Sequence, residues 1–424
     1  MSSMEKRALM QSANPVLPPR GFVPDLLRSP REAVAAFLAR VPIAPPPIER
    51  VPLDDALGRA IAGTIVADDD YPNAPRSVMD GFAVIANATP GRFEILGDIP
   101  MGAGAHVAVT SSSAVRIPTG GVLPPRATAV VPIEEARVEG GFVLVECRVE
   151  SGVNIAERAA DMRRGEPVLA PRRRLRASDI GVLAALGVTD VPVYRRPIVA
   201  VLSSGDELVE PGAQPEPGQI RDSNRYAIAG SLRAMGALAR HYPTLRDEAG
   251  EFEQRLTIAL RECDAVAVTG GSSVGDRDRL PAAIAKIAEP GIVVHGLRVK
   301  PGKPTLLGAH GVKPILGLPG NPTSASFMLE AVAAPIVAAL VGAPTAASVL
   351  LARLSGPACS RKGWTWYIPV RVEDDEGSSV AHPLPLRSFS VSLGARADGF
   401  IIMEEPDEEW PAGMPVTVHR FYGG

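Results

Sequence analysis

Cysteine is scarce, net charge is nearly absent, and no segment has the layout of a secretory leader. Cys147, Cys263 and Cys359 are the only cysteines and lack CxxC spacing, which argues against a disulfide framework or a structural zinc site and points to a reducing compartment. With 44 basic residues against 47 acidic ones, the chain has no global field to draw nucleic acid or an acidic membrane, so neither is expected as a partner. Any anionic ligand has to meet a local patch. Met1 to Pro24 is Pro-punctuated and aperiodic, and it reads as a disordered tail of a cytoplasmic protein. One apolar stretch, Ala325 to Ala343, approaches membrane-spanning length, but Glu330 and Pro335 interrupt it. A buried helix is expected there.

At 424 residues, 46% of them hydrophobic, the chain is too long for one core, and several domains are expected. Ser29-Pro30-Arg31-Glu32 is a capping box with proline at the first helical position, and it predicts a helix to about Arg40. From Ile65 to Val149, short β-rich runs broken by glycine and proline predict a small β domain. Ala177 to Gly187 returns to a helix, with Ser178 as its expected N-cap and Gly187 as its C-cap, so the flanking segments are expected to pair around the inserted domain. From Pro197, the apolar runs Ile198–Leu202, Asp264–Thr269 and Pro314–Leu318 alternate with helical stretches, the pattern of a parallel sheet covered on both faces. Beyond Val341, alternating strands predict a β barrel or sandwich.

Ligands of such sheets bind beyond the carboxyl ends of the strands. Three strand ends here feed unusual loops: Ser203-Ser204-Gly205-Asp206-Glu207, Gly270-Gly271-Ser272-Ser273-Val274-Gly275-Asp276-Arg277-Asp278, and Leu318-Pro319-Gly320-Asn321-Pro322-Thr323-Ser324. Glycine permits close backbone approach, hydroxyls donate, and each following helix turns its positive end to an anion. A phosphorylated ligand suits them. Asp206, Glu207, Asp222, Asp276 and Asp278 add hard oxygen ligands of the kind Mg²⁺ prefers beside phosphate. Lys300 and Lys303, on the restricted turn Lys300-Pro301-Gly302-Lys303-Pro304, add compensating charge. In the β domain, Asp80 precedes a glycine, where a tight turn would present it outward. Thr119, in Pro118-Thr119-Gly120, can donate to an oxyanion or bond its own backbone.

The combination resembles the molybdopterin molybdenumtransferase family, that is, MoeA and the gephyrin E domain. The resemblance runs in family order through Ser77-Val78-Met79-Asp80-Gly81-Phe82-Ala83, Pro118-Thr119-Gly120, Asn154-Ile155, Ser204-Gly205-Asp206-Glu207-Leu208, Asp222-Ser223-Asn224-Arg225, Gly270-Gly271, Ser273-Val274-Gly275, the Lys300–Pro304 turn and Gly317-Leu318-Pro319-Gly320-Asn321-Pro322. It implies a multidomain α/β plus β architecture. The parts are a disordered tail (1–24), an elongated discontinuous domain (25–64 and 150–193), an inserted small β domain (65–149), a doubly wound molybdopterin-binding-like domain (194–345) and a C-terminal β barrel (346–424).

The resemblance also implies a homodimer whose cleft lies between the α/β domain of one subunit and the β domain of the other. The implied reaction consumes adenylylated molybdopterin and molybdate with Mg²⁺ and releases AMP and molybdenum cofactor. Other cofactor-biosynthesis proteins or molybdoenzymes are the implied further partners. By the same resemblance Asp80, Asp222, Lys300 and Lys303 are the catalytic candidates. Thr119, Ser204, Gly205, Glu207, Gly270, Gly271, Ser273, Gly275, Pro319, Gly320, Asn321 and Pro322 would bind substrate, and Glu207, Asp222 and Asp278 the metal. Two stretches depart from the pattern. Arg126-Ala127-Thr128 stands where the family has an acid, and Asn154-Ile155-Ala156 leads to Ala159-Ala160-Asp161 where an arginine and an acid are usual. A paralogue acting as carrier, chaperone or regulator is therefore the alternative to the enzyme.

Overall fold

The computed structural model describes residues 27–246, 250–271, 279–344, 348–375, 377–387, 390–404 and 408–421. The 1–24 tail expectation and the Ser272–Asp278 stretch fall outside these residues. Internal contacts divide the chain into two compact units. One comprises the chain up to Ala62, Arg172–Arg176 and Asp190 onward; the other comprises Gly63–Pro171 and Ala177–Thr189.

The larger unit is organised by a six-stranded sheet in the order Leu238–His241, Ile198–Ser203, Ala265–Thr269, Lys313–Leu318, Leu306–His310, Pro290–His295. The first four strands are parallel. The last two are joined by antiparallel pairing, an edge that the apolar periodicity had not distinguished. Strand alternation divides the side chains between two cores. Val199 and Val201 pack with Phe37, Ile228, Leu232 and Val337, whereas Ala200 and Leu202 pack with Phe252, Leu256, Leu280 and Ile284. The sheet is thus covered on both faces, and each fully buried side chain of this size contributes roughly 1.5–3 kcal/mol.

Phe37 comes from helix Pro30–Arg40, whose capping box forms as expected: Ser29 Oγ accepts from Glu32 N at 3.3 Å, and Ser29 N donates to Glu32 Oε2 at 2.9 Å. All of the Ala325–Ala343 stretch but its last two residues lies in a 20-residue helical segment, Pro322–Val341, 61% of whose most apolar window is buried. Its middle, Leu329–Ala333, is π-helical. This is a core helix. The same unit ends in a closed five-stranded barrel in which Thr365–Asp375, Ser378–Pro383, Val349–Leu354, Pro415–Arg420 and Gly399–Met403 pair in a ring. Val370, Ile401, Met403 and Val418 fill it.

The smaller unit holds a second six-stranded sheet, in the order Ala129–Pro132, Gly81–Val84, Ser113–Ile117, Gly91–Asp98, Phe142–Val145, Ala136–Glu139. Outgoing and returning segments pair around it in nested order: Ile65–Val66 with Pro167–Leu169, and Arg76–Ser77 with Ile155–Ala156. In the larger unit Ile48–Pro52 pairs with Asp190–Tyr194. Helix Ala177–Ala185 is present and Gly187 has φ +70°, but Ser178 is its second residue rather than its cap, because the helix begins two residues before Asp179, where that cap would have started it.

Gly81 also differs from the sequence reading. It opens a strand instead of closing a tight turn, and a Cβ there would collide with the Val131 carbonyl oxygen across the sheet. The glycine permits backbone approach, and Asp80 projects from the end of the strand as a result. Gly81→Ala should therefore cost about 1–3 kcal/mol of local stability, because the backbone has to move. Hydrogen exchange at the Phe82 and Val131 amides checks this, and unchanged protection would show that the sheet widens there freely.

Candidate active site

Register brings the three loops together. Ser203 pairs with Thr269, and Thr269 with Leu318, so the strands end level and their loops leave one edge of the sheet. Side chains then stitch the loops. Thr269 Oγ1 donates to the Pro319 carbonyl at 3.2 Å, while Asn224 Nδ2 donates to Thr269 Oγ1 at 2.9 Å and to the Gly320 carbonyl at 2.8 Å. Gly270 is left-handed at φ +84°, and a Cβ on it would strike the Ser204 carbonyl oxygen, so two independent demands select glycine. Asn321 caps the next helix, its Oδ1 accepting from Ser324 N at 3.3 Å. The structure thus gathers Ser204, Gly205, Gly270, Gly271, Pro319, Gly320, Asn321 and Pro322 at one edge. Ser273 and Gly275 lie outside the described residues.

Beside this edge is a cavity of about 340 Å³ lined by Lys300, Gly302, Lys303, Ser324, Arg361 and Trp364, with Trp366 behind Lys300. The lysine turn and the barrel meet because Val299–Lys300 pairs in parallel with Thr365–Trp366. Lys300 Nζ lies 4.3 Å from the centroid of the Trp366 ring, and the Arg361 guanidinium carbon lies 5.8 Å from that of Trp364. Gly302, at φ +115°, has no room for a Cβ against Met328, and its carbonyl accepts from Thr305 Oγ1 at 2.6 Å. Arg361, Trp364 and Trp366 were missed by the sequence reading. The available signal was two of the chain's three tryptophans spaced two residues apart beside a basic pair.

The acids are distributed differently from expectation. Asp222 is 1% exposed: its Oδ1 accepts from Arg225 N at 3.1 Å, and its Oδ2 lies 3.2 Å from Arg225 Nε. That second approach is an ion pair by distance without a hydrogen bond's alignment. Arg225 is itself buried, and it donates to both oxygens of Glu210 at 2.6 Å and to the Tyr242 carbonyl at 3.0 Å. Asp222 is therefore committed to holding the first turn of helix Asn224–Ala234. Glu207 is exposed, and its carboxylate folds over Gly205. Asp278 lies outside the described residues, among which no group of three or more His, Cys, Asp or Glu side chains converges. Asp222→Asn should cost about 1–3 kcal/mol, since it removes a buried charge-assisted contact while Arg225 keeps Glu210, measured by urea unfolding. Unaltered stability with a raised requirement for Mg²⁺ would return Asp222 to the metal.

In the smaller unit Asp80 and Thr119 form a pair. Asp80 Oδ1 accepts from Thr119 N at 2.7 Å and from Thr119 Oγ1 at 3.0 Å. Backbone bonds hold the two turns together, from Ser77 N to the Gly121 carbonyl and from Gly120 N to the Ser77 carbonyl. Arg76 Nη1 adds a bond to the Gly120 carbonyl at 2.8 Å. The Thr119 amide, and then its hydroxyl, lower the Asp80 pKa, so the carboxylate persists into acid. Thr128 Oγ1 accepts from Ala86 N at 2.8 Å and serves the sheet.

By carboxyl NMR titration Asp80 should titrate below the ordinary value of about 3.9. The Asp80–Thr119 contact then holds above that ordinary value and is lost as pH falls through the lowered one. Thr119→Val keeps the amide and removes the hydroxyl, so it should return the midpoint part of the way. No movement would mean the amide acts alone.

Known proteins share this arrangement. The chain matches the MoeA N-terminal region (domain I and II) over residues 28–187 and the probable molybdopterin binding domain over residues 200–339. It is 32% identical over 383 residues to the molybdopterin molybdenumtransferase of Bacillus subtilis (strain 168), covering 87% of this chain and 89% of that one. The corresponding protein of Nostoc sp. is 33% identical over 338 residues, covering 77% and 73%. The crystal structure of the molybdopterin biosynthesis moeA protein from Pyrococcus horikoshii OT3 superposes with a TM-score of 0.83 at 27% identity, covering 93% of this chain and 100% of that one. Similarity of this extent, running through both the loop edge and the Asp80 turn, shows that the chain belongs to the molybdopterin molybdenumtransferase family.

Proposed function

We propose that the chain acts in molybdenum cofactor biosynthesis as a transferase, inserting molybdenum from molybdate into adenylylated molybdopterin and releasing AMP and molybdenum cofactor. The observation that carries this reading is the cationic cavity of Lys300, Lys303 and Arg361, placed against Ser324 in the first turn of the core helix and beside the glycine loops. An oxyanion there meets fixed positive charge and a helix N-terminus, and backbone can approach phosphates closely at Gly270 and Gly320. These groups stabilise negative charge as it develops on the departing phosphate, a chemistry in which positioning and electrostatics dominate.

Among the described residues no group of three His, Cys, Asp or Glu side chains converges to hold Mg²⁺, and Asp222 is paired with Arg225. A divalent cation beside phosphate would rely on Glu207 together with Asp278. We assign Asp80, whose carboxylate is oriented by Thr119, a role in metal insertion. The cytoplasm, and delivery to other cofactor-biosynthesis proteins or molybdoenzymes, belong to the same reading.

The primary test is AMP release from adenylylated molybdopterin with molybdate, alongside cofactor yield. Asp80→Asn should preserve pterin-nucleotide binding and lower cofactor yield. Tight binding by the unsubstituted protein without turnover would favour the carrier reading, for which Thr128 in place of an acid is the supporting observation. We also propose a homodimer in which Asp80 of one subunit serves the lysine cavity of the other. Asp80→Asn and Lys303→Ala chains, each inactive alone, should on mixing regain about a quarter of full activity: half the dimers are mixed, and each holds one intact site. No recovery despite subunit exchange would place both residues in one chain's site.

A further inference from the structure

We propose that Trp366, seconded by Trp364, is a positioning residue: its indole face holds Lys300 where a carboxylate would otherwise do so, leaving the ammonium charge uncompensated for an oxyanion. The inference rests on the oxyanion assignment of the cavity and adds residues of the barrel to it.

Several cations of this chain are oriented by acids, although Arg92 lies 3.6 Å from the Phe142 ring centroid and Lys313 Nζ bonds the Leu260 carbonyl. Arg225 is paired with Glu210 and Asp222, Arg195 with Asp264, and Lys286 with Glu253. Lys300 and Arg361 differ, with no acidic partner within 4.0 Å among the described residues. Each instead lies over an indole, at 4.3 Å for Lys300 on Trp366 and at 5.8 Å for Arg361 on Trp364. The ring quadrupole attracts a cation without cancelling its charge, whereas a carboxylate would compete directly with the ligand. The 5.8 Å contact is near the outer limit of such attraction, so Trp366 carries the argument.

Its position is imposed from both sides. Trp366 pairs with Lys300 in the parallel ladder and with Met403 in the antiparallel one, while Thr365 between the tryptophans is buried. Trp366 Nε1 is buried without a hydrogen-bond partner, a defect that phenylalanine would not carry. Phenylalanine would remove that unsatisfied donor but also part of the packing that Trp366 makes against the barrel core.

Calorimetric titration of the full chain with molybdate, at fixed low ionic strength, tests the proposal. Lys300→Ala should weaken binding at least tenfold, and Trp366→Leu severalfold. Trp366→Phe should fall between Leu and the parent when all are titrated well below their melting temperatures, a graded loss that a purely structural role would not produce. Trp366→Glu supplies the missing carboxylate and should weaken binding as much as Lys300→Ala does. By NMR the Lys300 ε-methylene protons should show an upfield ring-current shift that Trp366→Leu abolishes and Trp366→Phe retains in part. Molybdate binding unchanged in Lys300→Ala would overturn the oxyanion assignment together with this proposal. Weakened binding in Lys300→Ala with parental binding in both Trp366→Leu and Trp366→Phe would overturn the positioning role alone. Should Trp366→Leu fail to fold, Trp366→Phe and its ring-current shift decide.

Discussion

The level ending of three parallel strands is the constraint on which the loop edge depends. Ser203, Thr269 and Leu318 share one register, so any chain that leaves them enters the same small volume. The crowding is severe enough that Gly270 cannot carry a Cβ, and Asn224 with Thr269 ties the third loop to the end of the second strand. The register is in turn held by burial on both faces. A one-residue slip would exchange Val199 and Val201 with Ala200 and Leu202, and so put the wrong volumes into both cores at once. Packing beneath the site and chemistry above it are therefore one arrangement.

Charge is distributed along the same lines. Deep in the larger unit, positive groups are neutralised locally, as with Arg225 between Asp222 and Glu210. At the cavity, Lys300 and Arg361 rest on indoles contributed by the barrel. Burial explains the contrast. An isolated guanidinium in the core would be costly, whereas at a cavity wall water or a ligand can solvate it. The barrel thus belongs to the candidate site, which the alternating pattern of its strands does not convey. The Asp80–Thr119 pair follows a third rule, in which the backbone amide lowers the carboxyl pKa while the side chain stays exposed.

Much of this protein was determined by local sequence. The capping box at Ser29, the buried character of Ala325–Ala343, the two-face burial of the parallel strands and the barrel-like alternation after Val341 all rest on periodicity and capping, which act over a few residues and survive into the fold. The glycine-rich loops were legible for the same reason, since only glycine adopts the backbone that Gly270 requires. What tertiary structure alone decided were matters of distance between remote residues. Asp222 looks like a ligand in sequence, but Arg225 and Glu210 claim its neighbourhood once helix Asn224–Ala234 docks. Gly81 looks like a turn former, but its smallness answers to Val131, fifty residues away. The spacing of Trp364 and Trp366 beside a basic pair assigned no role to either until the pairing of Val299–Lys300 with Thr365–Trp366 laid the Trp366 ring against Lys300. Short-range preferences can be read along a chain, whereas the partner that satisfies a buried charge, or the backbone that excludes a Cβ, exists only after packing has chosen it.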